Sequence, residues 1–454
     1  MDRAHTGPVC EIKNWDLDIV SKKIKEKLKE YGLEGTCDPQ NPINTDDGLA
    51  DSFWRAGFDL AVDTGMLCLD TKRVIKFTRE ELKEAIKDAP SEITVGREMD
   101  KFTMMARKPE DKTPPKFKSG FAPISEDVYI QLMQGIMQYR VIDLISPLTL
   151  TTIYGRELRT ATPYETLAGH DEAVMLREAA RRAGRQGIPI VGVETSPSEY
   201  GHLGGFGSPG GLDPEKDLGL ILAITELKTS FDLLHKVVHT FLNCGGKIVG
   251  GSWSMIGGYA GPPEGAAVAA NACFILQIIV HHCAISSGGV YDIRYQGNLG
   301  REGVWASSIA HEGQSRNTNL LVSGLVSQVS GPCTHEILHE MAVGSIYDAV
   351  SGCAWQQGNR STGGRYMNYT SPLEQKFAAE VLKASAGMKR SDANEIVKAF
   401  IPKYEDKLEN PPKGKSFTEC FDLNTLKPTK EWLDIYSKVW KELEDLGLSP
   451  PSVC

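Results

Sequence analysis

Basic side chains are not in excess in this sequence. Its 454 residues carry 59 acidic and 50 basic side chains, which gives a net charge of −9. Proteins that bind duplex nucleic acid usually have a surplus of Lys and Arg that neutralises the phosphates. We therefore expect no nucleic-acid partner.

Long apolar segments and paired cysteines are also scarce. The most apolar stretch, residues 266–280, is interrupted by Asn271 and Gln277. It is too short to span a bilayer and is typical of a buried helix. The amino-terminal residues are charged, and the ten cysteines form no C-x-x-C pair. These features predict a cytoplasmic protein with reduced thiols, no secretory signal and no membrane partner.

Two common motifs are missing as well, and a third does not follow the first predicted strand. No P-loop and no G-x-S-x-G nucleophile elbow occurs, and no G-x-G-x-x-G follows the first predicted strand. These absences disfavour a kinase, an α/β-hydrolase and an open dinucleotide-binding fold.

Short apolar runs alternate with helical patterns after residue 125. Such alternation indicates parallel strands joined by crossover helices. An open doubly wound sheet and a closed (β/α)8 barrel both fit. We favour the α/β class with a (β/α)8 TIM barrel, because the strand–helix pairs approach eight. Only six or seven strands can be counted, six of them at residues 141–145, 188–193, 247–251, 290–294, 320–325 and 353–355.

The sequence divides into three parts. Residues 1–130 are polar and helix-rich, and we expect them to form an extension that wraps the barrel. Residues 131–400 are predicted to form the barrel with the active site, and residues 401–454 a helical tail. Segment 101–121, rich in Lys and Pro, is predicted to be a loop. Thr78 followed by Glu81 predicts a helix that begins with a capping box.

Glycine-rich loops follow several predicted strands. Active sites of barrels lie at strand ends and in the loops that follow them. Glycine there allows a bulky group to approach the backbone. Three such loops therefore predict a large flat ligand or a docked surface, and tight turns are the alternative. The loops contain Glu194, Thr195, Ser196, His202, Phe206, Gly251, Trp253, Gly257, Gly258, Tyr259, Arg294 and Tyr295.

Aromatic rings and charged groups fall in or near these loops. A cluster of π-faces with one carboxylate suits a methylated ammonium ion, and packing beneath the loops is the alternative. Arg294 can hold a substrate carboxylate bidentately, or form an ion pair with Asp292 or Glu194. The rings are those of Phe206, Trp253, Tyr259, Tyr295 and Trp305.

An H-E-x-x-H motif begins at His335. On a helix it places His335 and His339 one turn apart, where they can bind zinc, and Cys333 can add a thiolate. A surface or helix-packing role is the alternative. His235 and His239 have the same spacing, so the pattern is not specific.

The loops resemble the monomethylamine methyltransferase family of methanogenic archaea. The similarity runs from about residue 50 to residue 447, in one order and with few gaps. It is carried by Glu194-Thr195-Ser196, Thr225-Glu226-Leu227-Lys228, Gly257-Gly258-Tyr259-Ala260-Gly261, Ile293-Arg294 and Gly331-Pro332-Cys333-Thr334, and by Ala56-Gly57-Phe58, Pro123-Ile124-Ser125-Glu126-Asp127-Val128, Pro163-Tyr164-Glu165, Gly414-Lys415-Ser416-Phe417 and Leu443-Glu444-Asp445-Leu446-Gly447.

The resemblance implies a (β/α)8 barrel, usually a homo-oligomer, that accepts the cobalt corrinoid (cobalamin) of a separate carrier protein. It implies transfer of a methyl group from a methylamine to Co(I). Glu194, Tyr259 and Arg294 match the family and are predicted to be catalytic. The predicted substrate and corrinoid pocket comprises Val191, His202, Phe206, Gly251, Trp253, Gly257, Gly258, Tyr295 and Leu325.

One position departs from the family pattern. The pyrrolysine that marks the family aligns with Val191, and the two acids and the amide around it align with Leu220, Gly251 and Leu325. We therefore predict a small methylated donor, quaternary or betaine-like rather than monomethylamine. The related trimethylamine methyltransferase family has members without pyrrolysine that act on betaine-like amines.

Three alternatives remain. Cys333, His335 and His339 can bind zinc and assist demethylation of an alcohol or a thiol. The same histidines can serve a zinc hydrolase. A barrel without pyrrolysine can also be a ligand-binding protein without catalysis.

Overall fold

Six strands run parallel in one sheet of the computed structural model, which describes residues 1–195 and 198–451. A seventh strand, Trp253–Ile256, pairs in parallel with the distal half of Cys283–Asp292. Parallel pairing between successive strands requires a crossover connection, here mostly helical. In the order of pairing, the six strands are Leu218–Leu222, Lys247–Gly251, Cys283–Asp292, Leu321–Leu325, Trp355–Gln357 and Lys116–Lys118.

Three single parallel bridges connect further segments to the two outer strands. Lys118 pairs with Leu144, Ile145 pairs with Ile190, and Val191 pairs with Leu218. The segments predicted at 141–145 and 188–193 therefore lie between Lys116–Lys118 and Leu218–Leu222, although each pairs through single bridges only.

One apolar cluster lies between the strands and a hairpin. The hairpin consists of Glu92–Val95 and Phe102–Met105 and contributes Ile93, Val95 and Met104. The strands and bridged segments contribute Leu144, Val191, Leu218, Val249, Ile285, Leu321 and Trp355.

A cavity of about 980 Å³ lies beside this hairpin. Its lining includes Lys116 at the start of a strand, and Asp143 and Ala354 just before two others. It is therefore at the amino ends of the strands, opposite the edge where barrel enzymes place their chemistry.

Helices cover the sheet. Pro263–His281 is long and apolar enough to cross a membrane by composition alone, but 89% of its most apolar window is buried inside the protein. Core helices of globular proteins share this property, so the helix is weak evidence for a membrane span. The helices between and after the strands are Glu126–Met137, Pro163–Arg182, Glu199–Gly205, Phe231–Val237, Pro263–His281, Arg301–Asn317, His335–Val350 and Pro372–Ala384.

The amino-terminal elements pack on the core helix Pro263–His281. Trp15 is fully buried, and its indole donates to the carbonyl of Glu226 at 3.1 Å. These elements are the helices Asp2–Thr6, Ile12–Asn14, Ser21–Glu30, Asp47–Thr64 and Arg79–Asp88, the π-helix Trp15–Val20, and the small sheet of Met66–Cys68, Arg73–Ile75 and Lys228–Thr229.

The carboxy-terminal elements pack against His335–Val350 and Pro372–Ala384. Trp432 is fully buried, and its indole donates to the hydroxyl of Ser371 at 3.0 Å. These elements are the helices Arg390–Phe400, Phe417–Cys420 and Lys430–Asp445, the strands Phe421–Asp422 and Lys427–Pro428, and the 3-10 turns Ile401–Lys403 and Glu405–Lys407.

The remaining elements are short. The paired strands Pro123–Ile124 and Thr149–Leu150 are parallel, and Thr152–Ile153 and Arg156–Glu157 form an antiparallel pair. The other turns are the 3-10 helices Glu98–Asp100 and Ser361–Gly364, and the π-helix Val238–Asn243.

The α/β class, with parallel strands and crossover helices, is confirmed. The capping box is also confirmed, since Thr78 and Glu81 exchange hydrogen bonds of 2.8 and 3.2 Å between side chain and backbone.

The loop prediction for 101–121 is wrong, because this segment contains Phe102–Met105 and Lys116–Lys118. The strand predicted at 290–294 ends at Asp292, so Arg294 lies beyond it.

Candidate functional site

The carboxyl ends of the parallel strands bring three polar side chains to one edge of the sheet. Lys118 ends its strand, Ser146 follows the bridged residue Ile145, and Glu194 follows Val191. The Lys118 ammonium donates to the Ser146 hydroxyl at 2.9 Å.

Lys118 is a fully buried lysine. Burial lowers its pKa to about 8, and the nearby Glu194 carboxylate opposes the shift. The ammonium is 5.8 Å from the ring centroid of Phe121. No acidic oxygen lies within 4.0 Å of it among residues 1–195 and 198–451. A buried cation with one hydroxyl as its partner is energetically costly, which indicates a functional role.

The carboxylate of Glu194 faces two cations. Burial raises its pKa, and Lys118 and Lys236 act in the opposite direction. In the part of the chain that the structure describes, no side chain forms an ion pair with this carboxylate within 4.0 Å. Glu194 therefore lies within electrostatic reach of Lys118 on one strand and Lys236 on the helix Phe231–Val237.

Glu172 holds the backbone that carries Glu194. Its two carboxyl oxygens accept from the N–H groups of Glu194 at 3.2 Å and Thr195 at 3.1 Å. Burial raises the pKa of Glu172 to about 8. A buried carboxyl that accepts from two successive N–H groups fixes this strand end on the helix Pro163–Arg182. Ser196, which follows, lies outside the described residues.

A second cation, Arg360, lies at the same Phe121 ring as Lys118. The Arg360 guanidinium carbon is 5.9 Å from the centroid of the Phe121 ring. Its Nη1 donates to the hydroxyl of Tyr291 at 3.3 Å, and Tyr291 contacts Trp253 edge to face with centroids 5.1 Å apart. Trp253, a predicted pocket residue, therefore contacts Tyr291, and Arg360 bonds to the hydroxyl of that tyrosine.

Tyr259 and Arg294 lie farther out. Tyr259 is 45% exposed, and its ring is 5.8 Å from the Lys228 ammonium. Arg294 is paired with the fully buried Asp292 at 2.5 Å and also with Glu302. Its pKa is raised, mainly by the hydrogen bond to Asp292. The guanidinium is thus held by two carboxylates, which is the ion-pair alternative considered from the sequence.

Three predicted pocket residues are buried in packing contacts. His202 stacks on Phe206 with centroids 5.4 Å apart and bonds to the Thr240 hydroxyl at 2.7 Å. Burial lowers the pKa of His202 well below its usual value, so the ring is neutral. Tyr295 is buried, and its hydroxyl accepts from the Gly300 N–H at 3.0 Å.

The glycines of the loops are explained by contacts within the protein. A Cβ at Gly251 would lie 2.4 Å from the Leu222 side chain, and one at Gly258 would lie 2.7 Å from Met255. Gly257 has a φ of +80°, which favours glycine. Close internal packing and turns therefore account for these positions without a ligand.

The positions aligned with pyrrolysine and its neighbours are apolar. Val191 belongs to the cluster between the strands and is fully buried, and Leu220 contacts the same cluster. Leu325 is buried, and its Cβ is 3.6 Å from the position that a Cβ on Gly289 would take. No ionisable side chain replaces the polar groups at Leu220, Gly251 or Leu325.

The H-E-x-x-H residues face the carboxy-terminal helix. His339 bonds to Glu442 at 2.8 Å, and its ring centroid is 6.4 Å from that of His335. Cys333 is buried nearby, where burial raises its pKa to about 11. Within the described ranges, these three do not form a group with ligand atoms within 4.8 Å of one another, and their metal role stays a prediction.

A different trio, His311, Asp348 and Cys353, does meet that distance and is fully buried. His311 bonds to the Gly288 carbonyl at 3.0 Å and faces Asp348 at 3.2 Å. Asp348 also accepts from Gln356 at 2.9 Å. A buried hydrogen-bond network accounts for these contacts.

Sequence reasoning missed Lys118, Arg360, Lys236 and Glu172. Lys118 lies in the segment predicted to be a loop, and Arg360 follows the last strand after Gly358 and Asn359. Inspection of the residues after every strand would have found Arg360. No local pattern marks Glu172, since its role depends on a backbone in a distant loop.

The fold and the site define an α/β protein with charged side chains at the carboxyl ends of parallel strands. Residues 1–448 match the family described as Monomethylamine methyltransferase MtmB. Among curated proteins, Monomethylamine methyltransferase MtmB of Methanosarcina mazei is 31% identical over 449 residues, covering 98% of this chain and 97% of the relative. Monomethylamine methyltransferase MtmB1 of Methanosarcina acetivorans is also 31% identical, with the same coverage.

A solved structure agrees with these matches. The crystal structure of the Methanosarcina barkeri monomethylamine methyltransferase superposes with a TM-score of 0.94 at 30% identity, covering 98% of this chain and 97% of that one. The chain belongs to the monomethylamine methyltransferase family and is a methyltransferase.

Proposed function

We propose that this enzyme moves a methyl group from a small methylated amine to the corrinoid of a separate carrier protein. Membership of the family over nearly the whole chain carries the proposal. The corrinoid of the carrier would be the methyl acceptor, and its cobalt would supply the nucleophile.

The methyl donor is quaternary or betaine-like rather than monomethylamine. The amine must leave as a neutral molecule, so its nitrogen must be cationic beforehand. A quaternary ammonium is permanently cationic and needs no covalent capture. The apolar surroundings of Val191 and Leu220 support this proposal, because they offer no polar group to hold a small amine at that place.

Glu194 and the aromatic rings bind the ammonium in this proposal. A carboxylate in a water-poor site attracts a cation more strongly than it does in water. The rings of Phe121, Tyr291 and Trp253 offer π-faces near the same strand ends. Glu172 fixes the backbone of Glu194, so the carboxylate keeps one position during the reaction.

The sheet closes into an eight-stranded (β/α)8 barrel in this proposal. The three single bridges through Leu144, Ile145, Ile190 and Val191 support closure, because they connect Lys116–Lys118 to Leu218–Leu222. The amino-terminal extension, the barrel and the carboxy-terminal tail keep the predicted division, except that the first strand falls within residues 1–130.

The carrier protein docks at the carboxyl edge of the strands. Tyr259 and Ile293 are exposed there, and the position of a Cβ on Gly257 is 2.8 Å from Ile293. Exposed apolar side chains in neighbouring loops are typical of interaction surfaces. Assembly into a homo-oligomer is also proposed, from the family alone.

Methyl transfer to a reduced corrinoid carrier tests the function. Tetramethylammonium, trimethylglycine and monomethylamine are offered as donors, and methylcobalt formation is followed by absorbance. We expect transfer from at least one quaternary donor and a loss of about tenfold or more in Glu194→Gln, because a charge-assisted contact is removed. Glu395→Gln, which changes an exposed carboxylate, is the control.

Faster transfer from monomethylamine than from any quaternary donor would overturn the proposed substrate. No transfer from any methylated amine, alcohol or thiol would overturn the methyltransferase proposal for this chain.

A further inference from the structure

Two cations at the carboxyl edge have no acidic partner. Lys118 donates only to Ser146, and Arg360 donates to the hydroxyl of Tyr291. No ion pair within 4.0 Å is found for either side chain in residues 1–195 and 198–451. Most buried cations in proteins are paired, so the buried Lys118 is an exception, and the partly exposed Arg360 is a second cation without an ion pair. Together they favour an anion from outside the chain.

The two cations share one aromatic ring. The Lys118 nitrogen and the Arg360 guanidinium carbon lie 5.8 and 5.9 Å from the centroid of Phe121. Both cations therefore lie at the same ring, and an anion bound beside it is attracted by both. Lys118 is fully buried, whereas Phe121 and Arg360 are partly exposed.

The acid that acts on Lys118 is Glu194, and it does so over a distance greater than that of an ion pair. A simple cation placed at Glu194 would be repelled by Lys118 and Lys236. A molecule with an ammonium at one end and a carboxylate at the other satisfies both sets of charges.

Arg294 is not available for this carboxylate. Its guanidinium is already held by Asp292 and Glu302. A substrate carboxylate at Arg294 would have to displace a bond to the buried Asp292, whereas at Lys118 and Arg360 it displaces no ion pair.

We propose that Lys118 and Arg360 form a carboxylate subsite, so that the methyl donor is a zwitterion, an N-methylated amino acid of the betaine type. This inference rests on the proposed function and narrows its substrate class. The ammonium of the donor lies toward Glu194, and its carboxylate lies toward the two cations.

Binding of matched probes by calorimetry tests the subsite. Trimethylglycine carries the carboxylate, tetramethylammonium lacks it, and choline replaces it by a neutral hydroxyl. We expect trimethylglycine to bind at least about tenfold more tightly than the other two, since hydrogen bonds to charged groups are among the strongest in proteins.

Lys118→Met and Arg360→Met each remove one cation. We expect each variant to lose about tenfold or more in affinity for trimethylglycine, with tetramethylammonium bound unchanged or more tightly. Lys441→Met removes an exposed lysine of the carboxy-terminal helix and is the control. Equal affinities of the wild type for the three probes, or variants that keep the wild-type preference, would overturn the proposal.

Two further measurements keep the result interpretable. Circular dichroism establishes that the variants fold, and Arg360→Met, at a partly exposed position, serves if Lys118→Met does not fold. Methyl transfer is assayed in parallel. A carboxylate preference in binding without methyl transfer from any donor would refute the proposed function and support the subsite. Methyl transfer from tetramethylammonium and trimethylglycine at equal kcat/KM would support the proposed function and refute the carboxylate subsite.

Discussion

The substitution Glu172→Gln is expected to destabilise the protein at pH 5 and to stabilise it at pH 9. Burial raises the pKa of Glu172 from 4.5 to about 8, so the folded protein keeps this proton over a range in which the unfolded chain loses it. The wild type therefore loses stability as the pH rises from 4.5 to 8, by about 1.4 kcal/mol per pH unit and about 5 kcal/mol in all.

Gln cannot ionise and escapes this loss, but it has one acceptor oxygen where Glu172 has two. One of the N–H groups of Glu194 and Thr195 then faces a donor, which costs about 1–3 kcal/mol. E172Q should therefore be less stable than the wild type at pH 5 and more stable at pH 9.

Guanidinium denaturation midpoints at pH 5, 7 and 9 measure the difference. E178Q is the matched control, because Glu178 lies on the same helix, is partly exposed, and has a pKa lowered to about 2 by Arg181 and Arg182. Its effect should stay constant from pH 5 to pH 9, since this carboxylate is ionised throughout. If the stability difference between E172Q and the wild type is also independent of pH, the buried and protonated carboxyl of Glu172 is refuted.

Three other changes test the packing around the site. D16N removes the partner of the buried Lys228, 2.6 Å away, and should cost about 3–5 kcal/mol and speed proteolysis of the amino-terminal helices. F274A leaves a cavity in the core helix and should cost about 3–5 kcal/mol in a denaturation experiment, with ligand preference unchanged. H339A removes the bond to Glu442 and should lower the thermal midpoint without altering metal content. Stoichiometric zinc that disappears in H339A would instead support demethylation of an alcohol or a thiol.

The sequence predicts the crossover helices well and the strands less well. The sequence predicts helices at 164–185, 261–284 and 334–350, and the observed helices are Pro163–Arg182, Pro263–His281 and His335–Val350. The starts agree within two residues, because the helical pattern is sustained over several turns. Leu218–Leu222 was missed although it is apolar, since it follows directly on a glycine-rich loop.

Lys116–Lys118 was missed for a physical reason. Central parallel strands are usually apolar runs, because both faces are buried. Here Phe117 packs into the helix-side core, whereas Lys118 is directed away from that core and bonds to Ser146. Lys118 is one of the residues that favour a loop prediction, and it is also the residue that places this segment at the site.

The structure gives the positions of the predicted site residues, and their roles stay predictions. Glu194 and Trp253 lie at the strand ends as expected, and Val191 lies between the strands. The ion pair of Arg294 with Asp292 is one of the alternatives that the sequence offers for Arg294. The predicted strand 290–294 places both residues on one face. The positions of His202 and Phe206 could not be read from the sequence, because the helix Glu199–Gly205 begins inside the glycine-rich loop.

In the proposed subsite, the charges at the strand ends take over binding from the four positions that the resemblance predicts to depart from the family pattern. Val191, Leu220, Gly251 and Leu325 offer no side-chain charge, so binding must come from elsewhere at the same edge. A buried, unpaired lysine reduces stability, and Met at residue 118 would fill much the same space without that cost. The proposed subsite therefore gives Lys118 a role in ligand binding, which folding alone does not supply. A ligand that neutralises Lys118 and is also held by Glu194 must carry both charges, which a monomethylammonium ion does not.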